Sequence, residues 1–366
     1  MIWGRQFFGK ETVIPVIFLA TSEIHLHHFN AADNALLNHP AQFFIKFNWG
    51  ILGTGWIAHD MGQALKSVNG EIYAVCGTSL EKAEKYAQEL GAVHSYGSAE
   101  EMLADENIDI VYIATPHNSH YQWLKRSLEA GKHVFCEKSI TVNSRQLEEC
   151  AAIAEEKGLV ICDGTTLFHM PLYKKLSRMI EEGVIGSVKM VQVNFGSCKE
   201  YDRNNRFFSK ELAGGALLDI GVYAVSFARY FMKSKPNTVL TTANYFETGV
   251  DESSGILLKN PDGELAVMAL TMRAKQPKRG VIAGEKGYIE IDNYPRAEKA
   301  VITYTQDGRT EVIEEGKSEL ALQYEVQDMQ DYIRARSGGD NFQMVRDVME
   351  TLTSVRSQWG MTYPFE

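Results

Sequence analysis

The chain has 366 residues, 45% of them hydrophobic and 23% charged, with a formal net charge of −10. This is ordinary usage for a folded globular protein, and its acidic balance argues against nucleic acid as a partner, because phosphate backbones demand a basic surface. No apolar run approaches the ~18 residues that a membrane span requires. The five cysteines (Cys76, Cys136, Cys150, Cys162, Cys198) are odd in number and scattered without a C-x-x-C, which favours free thiols in a reducing, cytoplasmic compartment over a disulfide framework or a zinc site.

In chain order, residues 1–45 read differently from the rest: rich in Phe, Asn and His, and without clear periodicity. The apolar run 13–20 after Lys10, followed by Ala20-Thr21-Ser22, has some features of a secretory signal. Glu11, however, separates the run from the sparse cations Arg5 and Lys10. An extension without a catalytic role, ahead of a start near Ile45 or Lys46, is the preferred expectation. His25, His27 and His28 have no evident partners for a metal site.

From residue 46 the pattern alternates. Strands are expected at 47–52, 72–77, 93–96, 108–114, 133–136 and 159–162, and helices at 57–68, 80–90, 99–104, 119–130 and 144–157. Near-continuous apolar strands between helices imply a parallel, doubly wound sheet covered on both faces, over 46–165. Beyond it, a helix at 172–182 leads into strands at 188–195, 238–246, 253–258, 264–272, 281–291 and 299–305, with Pro261-Asp262-Gly263 as a hairpin turn. Helices are expected at 214–232, 318–335 and 345–358. The fold class is thus α/β: a doubly wound parallel-sheet (Rossmann) domain, followed over 166–366 by an α+β domain with a large, mostly antiparallel open sheet and a cleft between the two.

Three places could carry chemistry. Gly53-Thr54-Gly55-Trp56-Ile57-Ala58 lies between a strand and a helix, the context that gives a G-x-G-x-x-G/A pattern meaning as a dinucleotide site. The first glycine allows the turn, the second lets backbone approach a pyrophosphate, and Ala58 keeps helix and strand close. The helix N-terminus then offers free N–H groups to phosphate. The second place is Cys136-Glu137-Lys138-Ser139, which puts a lysine at a strand's C-terminal end. In the third, Gly214 to Tyr223, Asp219 and Tyr223 are four apart and share a helix face. A surface lysine, a cap and a core tyrosine are the structural alternatives; together the three residues make a workable proton-transfer set.

With these motifs quoted, residues 46–366 resemble the glucose–fructose oxidoreductase / inositol dehydrogenase (Gfo/Idh/MocA) family. Further matches are Ala114-Thr115-Pro116-His117-Asn118-Ser119-His120 and Gly284-Glu285-Lys286-Gly287-Tyr288-Ile289-Glu290-Ile291. Tyr223 and Arg206-Phe207-Phe208 resemble the dihydrodiol dehydrogenase-like branch. The resemblance implies that Tyr223 is the acid/base, that Lys138 orients substrate oxygen and tunes Tyr223, and that Asp219 positions substrate or Lys138. It also implies that Thr115, Pro116, Asn118 and Glu137 line a nicotinamide pocket, and that the protein is a homodimer or homotetramer. There are two departures. Ser139 stands where the family usually has proline, which loosens the restraint on Lys138. After the second strand comes Gly77-Thr78-Ser79-Leu80-Glu81-Lys82, with no acid at the strand end to hold a ribose hydroxyl, so Thr78, Ser79 and Lys82 favour NADP over NAD. The expected function is hydride transfer between NAD(P) and a sugar, polyol or related cyclic diol; the alternative is a non-catalytic NAD(P)-binding sensor. Substrate contacts are expected from Lys138, Arg206, Asp219 and Tyr223, with Lys199 and Arg203 nearby, and the acidic chain argues against a highly anionic substrate.

Overall fold

The computed structural model describes residues 46–366 except 69 and 338. The expectations for residues 1–45, including the extension and the His25, His27 and His28 cluster, lie outside the described residues. Residues Lys46–Glu366 form one unit.

The first half is built from β1 (Asn48–Leu52), α1 (Trp56–Ser67), β2 (Glu71–Cys76), α2 (Leu80–Leu90), β3 (His94–Tyr96), α3 (Ala99–Leu103), β4 (Ile110–Ile113), α4 (His117–Glu129), β5 (His133–Cys136), α5 (Ser144–Lys157) and β6 (Ile161–Asp163). Local signals set several boundaries. Ser79, Ser98 and Asn143 cap α2, α3 and α5 by accepting from the backbone N–H of Lys82, Glu101 and Gln146, and Gly91 and Gly158 end α2 and α5 in the left-handed region. All strands pair in parallel in the order β3-β2-β1-β4-β5-β6. Strand order switches at β1 and β4, successive strands being added to one side of β1 and then to the other, so the C-terminal ends of these two frame the crevice where such sheets bind ligands.

The second half comprises α6 (Pro171–Glu181), β7 (Val188–Gly196), α7 (Val222–Phe231), β8 (Thr238–Tyr245), β9 (Asp251–Lys259), β10 (Leu265–Thr271), β11 (Gln276–Gly284), β12 (Gly287–Asp292), β13 (Lys299–Tyr304), β14 (Thr310–Glu314), α8 (Ala321–Ala335) and α9 (Gly339–Gln358). The strands form one sheet, β14-β13-β12-β11-β7-β10-β9-β8, antiparallel except for β7 with β10. Buried residues alternate along β9 and β10, as expected for a sheet covered on one face. The stretch Lys210–Phe231 is apolar and long enough by composition to span a membrane, but 83% of its apolar window is buried in this core.

The structure corrects the expected elements in four places. Residues 281–291 are not one strand: Glu285 and Lys286 turn the chain between β11 and β12. The edge strand β14 has a mostly exposed face and too little apolar pattern to be read from sequence. Residues 214–232 are not one α-helix, because a wider π-turn, Leu217–Gly221, precedes α7. Finally, the last helices do not belong to the second half alone. Leu322, Val326 and Met329 of α8 are buried with Trp49, Ile51, Met61, Leu65, Tyr112 and Phe135, so α8 covers one face of the parallel sheet. α9 packs on both α5 and α7.

Candidate active site

Gly53 leaves β1 with φ +121°, and a Cβ there would lie 2.6 Å from the Ala114 carbonyl oxygen, so this turn admits only glycine. Gly55 is different: a Cβ built on it meets nothing within 4 Å. It is exposed, it caps α1 without a side-chain hydrogen bond, and no acidic residue lies in the first turn. The N–H groups of that turn therefore face an open, electropositive cradle. Thr54 and Trp56 flank it, Ile57 is half-buried, and Ala58 is fully buried against the sheet. Beyond β2, Thr78 and Ser79 are exposed. Lys82 Nζ donates to Thr78 Oγ1 at 3.3 Å, while Ser79 Oγ is already engaged as the α2 cap. The residues present fit a dinucleotide, with its pyrophosphate at Gly55.

At the neighbouring strand ends, Thr115, Pro116 and half-buried Asn118 lead into α4, and Thr115 Oγ1 accepts from Ser119 Oγ at 2.8 Å. Glu137 follows β5 and accepts from the Tyr112 hydroxyl at 2.6 Å. Burial raises the Glu137 carboxyl above its usual range, against the opposing pull of Tyr112 and Lys138. Lys138 is the centre of the site. Its ammonium donates to the Asp219 carbonyl at 2.8 Å and to Asp219 Oδ1 at 3.4 Å, and it lies 4.9 Å from the centre of the Tyr223 ring. The structure thus brings Lys138, Asp219 and Tyr223 together across the two halves of the protein.

Charge balance follows from this packing. Burial alone would depress the Lys138 ammonium, but Asp219, Tyr223 and Glu137 hold it above its usual range. Burial would raise the Asp219 carboxyl, but Lys138, His117 and Arg206 hold it low and ionised. Burial pushes the Tyr223 hydroxyl up, and Lys138 acts in the opposite direction. Net lowering of Tyr223 by Lys138 is not what the structure shows; the lysine offsets part of a larger burial effect.

His117, His120 and Ser139 stand in quoted motifs, but their positioning roles, and Asp251 altogether, are not foreseen from the sequence. His117 reaches from the Lys138 carbonyl (3.0 Å) to the Ala213 carbonyl (3.3 Å), and His120 from the Ser139 carbonyl (2.8 Å) to the Thr115 carbonyl (2.7 Å). Burial, then His120 and Lys138, push His117 down to about 3, with Asp219 pulling the other way. Two histidines three apart at a helix start were a visible signal. Ser139, in place of proline, is fully buried after a cis peptide and donates to the Leu218 carbonyl at 2.9 Å, tying the Lys138 loop to the π-turn. Asp251, fully buried on β9, accepts from the Leu217 N–H at 2.7 Å. No local pattern pointed to it. Arg206 is half-buried on the rim, while Arg203 remains exposed. Among the described residues, no group of three His, Cys, Asp or Glu side chains is placed to hold a metal ion.

A parallel sheet with a glycine cradle at its switch point, joined to a sheet domain that supplies an aspartate and a tyrosine to its lysine, defines a dinucleotide-dependent oxidoreductase. Residues 47–165 match the oxidoreductase family with an NAD-binding Rossmann fold, and residues 173–290 match the GFO/IDH/MocA C-terminal domain. The chain belongs to the Gfo/Idh/MocA family, in its dihydrodiol dehydrogenase-like branch. It is 34% identical over 268 residues to trans-1,2-dihydrobenzene-1,2-diol dehydrogenase of Xenopus laevis, covering 72% of this chain and 81% of that protein. It is 32% identical to the D-xylose 1-dehydrogenase (NADP(+)) of Hypocrea jecorina, covering 66% of this chain and 71% of that protein. Among solved structures, levoglucosan dehydrogenase in complex with NADH and levoglucosan superposes with a TM-score of 0.79 at 19% identity. A 3-ketoreductase of Actinomadura kijaniata with NADP superposes at 0.76 and 21% identity. Each comparison covers 86% of this chain and 98% of the other. The protein is an NAD(P)-dependent dehydrogenase or reductase acting on CH–OH groups.

Proposed function

We propose that the protein oxidises one hydroxyl of a sugar, polyol or cyclic diol, or reduces the corresponding carbonyl, with Tyr223 as acid/base and Lys138 as the group that orients the reacting oxygen. The observation that carries this is the Lys138 junction: one ammonium holds Asp219 and lies against the Tyr223 ring, beside the strand ends that frame the dinucleotide crevice. Bound NAD(P) supplies the hydride acceptor or donor. In the reduction, hydride adds to the substrate carbonyl carbon while the Tyr223 hydroxyl gives its proton to the carbonyl oxygen, leaving an alcohol and a tyrosinate beside the Lys138 ammonium; the oxidation is the reverse, with the tyrosinate taking the substrate O–H proton. Lys138 stabilises the oxygen as charge develops on it. Asp219, kept ionised, fixes the ammonium.

The open cradle at Gly55 and the Lys82–Thr78 pair support NADP as the preferred cofactor. The curated relative from Hypocrea jecorina is named for NADP(+), and a structural neighbour contains NADH. The names of the relatives support sugar and diol substrates. The free state of all five cysteines supports a cytoplasmic location. Exposed Leu240, Tyr245, Val267 and Val312 on the second sheet support a homodimer or homotetramer through that face. The test is NADPH formation from NADP over a panel of aldoses, polyols and trans-diols, with Tyr223→Phe in parallel. Turnover of a panel member that falls in the variant, with cofactor binding intact, is expected. Equal turnover by the variant would remove Tyr223 from the mechanism.

A further inference from the structure

Four cations gather on the rim of this cleft without a carboxylate of their own to pair with. Lys199 and Arg206 rest on one ring, with Lys199 Nζ 3.7 Å and Arg206 Cζ 4.2 Å from the centre of Phe207. Lys278 Nζ lies 4.8 Å from the centre of Phe195, and that ring packs against Tyr223 at 6.2 Å between centres. Arg296 acts electrostatically on both Tyr223 and Lys278. All four are half-buried, and among the described residues none forms an ion pair. Elsewhere the chain pairs its cations: Arg279, next to Lys278 but more exposed, donates to Asp292 at 2.8 Å.

The carboxylates that face the rim are already engaged. Asp219 is held by Lys138, and Glu137 by Tyr112. Burial depresses the Lys278 ammonium, and Lys275, Lys199 and Arg296 depress it further; burial likewise depresses Lys199, with Arg206 and Lys138 adding to it and Asp219 opposing. Like charges held this close at reduced dielectric cost free energy unless an anion arrives between them. Aromatic faces lie beneath three of the cations, Phe207 under Lys199 and Arg206 and Phe195 under Lys278.

We propose that the substrate is a polyol bearing an anionic group, a carboxylate or a phosphate, and that Lys199, Arg206 and Lys278 form the subsite for that group while Lys138 and Tyr223 address its reacting hydroxyl. The proposal rests on the oxidoreductase reading above and narrows its substrate class. It also reverses the expectation from the acidic chain. A net charge of −10 belongs to the whole molecule, whereas the field in a cleft belongs to the few groups that line it.

The test is competition on the NADPH-loaded protein, read by fluorescence of the bound cofactor, with D-glucose, D-gluconate and a hexose monophosphate as probes at low and high salt. An anionic probe should bind about tenfold or more tightly than glucose, less so at high salt. Which anion binds better identifies the group. The advantage should vanish in Lys199→Gln/Lys278→Gln and persist in Arg279→Gln, with NADPH affinity unchanged in both. If NADPH binds but the anions show no advantage over glucose, or the double variant retains it, the proposal is overturned while the oxidoreductase reading stands. Failure of NADPH to bind would instead remove that reading and the proposal with it.

Discussion

Lys138 does three things with one ammonium: it holds the Asp219 carbonyl, screens the Asp219 carboxylate and faces the Tyr223 ring. Burial raises the Tyr223 hydroxyl above its usual range and Lys138 opposes it, so in the proposed mechanism the acid/base rests protonated until a substrate oxygen meets it. Tyr223→Phe should therefore lower kcat by ~10²–10⁴-fold with NADPH affinity unchanged, as steady-state rates and a fluorescence titration would show. Gly53→Ala should act on both folding and binding, since its positive φ and the Ala114 carbonyl exclude a Cβ. A loss of about 1–3 kcal/mol in urea unfolding is expected. Gly53, Gly55, Lys138, Asp219 and Tyr223 were legible in the sequence because each sits in a short, chemically distinctive motif. The cations Lys199 and Lys278 were not grouped, because 79 positions separate them (278 − 199) and only the pairing of β7 with β10 and β11 joins their neighbourhoods.

At the scale of the element, the informative unit is the π-turn Leu217–Gly221 with α7 behind it. A π-turn widens the helix and re-aims its side chains, and such turns recur at functional sites. Three fixtures hold this one: Lys138 on the Asp219 carbonyl, Ser139 on the Leu218 carbonyl, and Asp251 on the Leu217 N–H. Gly215, at φ +115°, passes so close to Asp251 that a Cβ would lie 2.2 Å from Oδ1. The apolar spacing of 214–232 announces a buried helix, but its widened turn depends on partners more than thirty residues away in β9, which no helical periodicity encodes. Burial pushes the Asp251 carboxyl up to about 7. A folded-state pKa above the unfolded value means that its neutral form favours the fold. That contribution is complete below about pH 4 and is lost as pH rises through about 7. Asp251→Asn should keep the oxygen that accepts from Leu217 and flatten this part of the stability–pH curve, measured by urea midpoints across that window. An unchanged slope would show that Asp251 is not the group responsible.

At the scale of the molecule, the two sheets are joined by more than a linker. α8 returns to the parallel sheet and buries Leu322, Val326 and Met329 on it, and it also carries Glu325, whose carboxyl burial pushes up to about 8 within electrostatic reach of Glu137. Sequence alternation in 46–165 showed the Rossmann half as complete, so nothing local marked a helix at 321–335 as part of its cover. Met329→Ala should cost about 2–5 kcal/mol and shift a single unfolding transition of both halves, whereas Val93→Ala, at an exposed bend before β3, should be near neutral. Separate transitions would show that the halves do not fold as one unit.

The central claim, a dinucleotide-dependent oxidoreductase with its cradle at Gly55, is tested most directly by fluorescence titration of the full chain with NADPH and NADH, on wild type and on Gly55→Asp. The space at Gly55 is open, so aspartate fits the fold and places its carboxylate against the phosphates. The account predicts binding by wild type, tighter for NADPH, and its loss in a variant that unfolds at the same urea concentration. Absence of binding by folded wild type, or undiminished binding by Gly55→Asp, would contradict it.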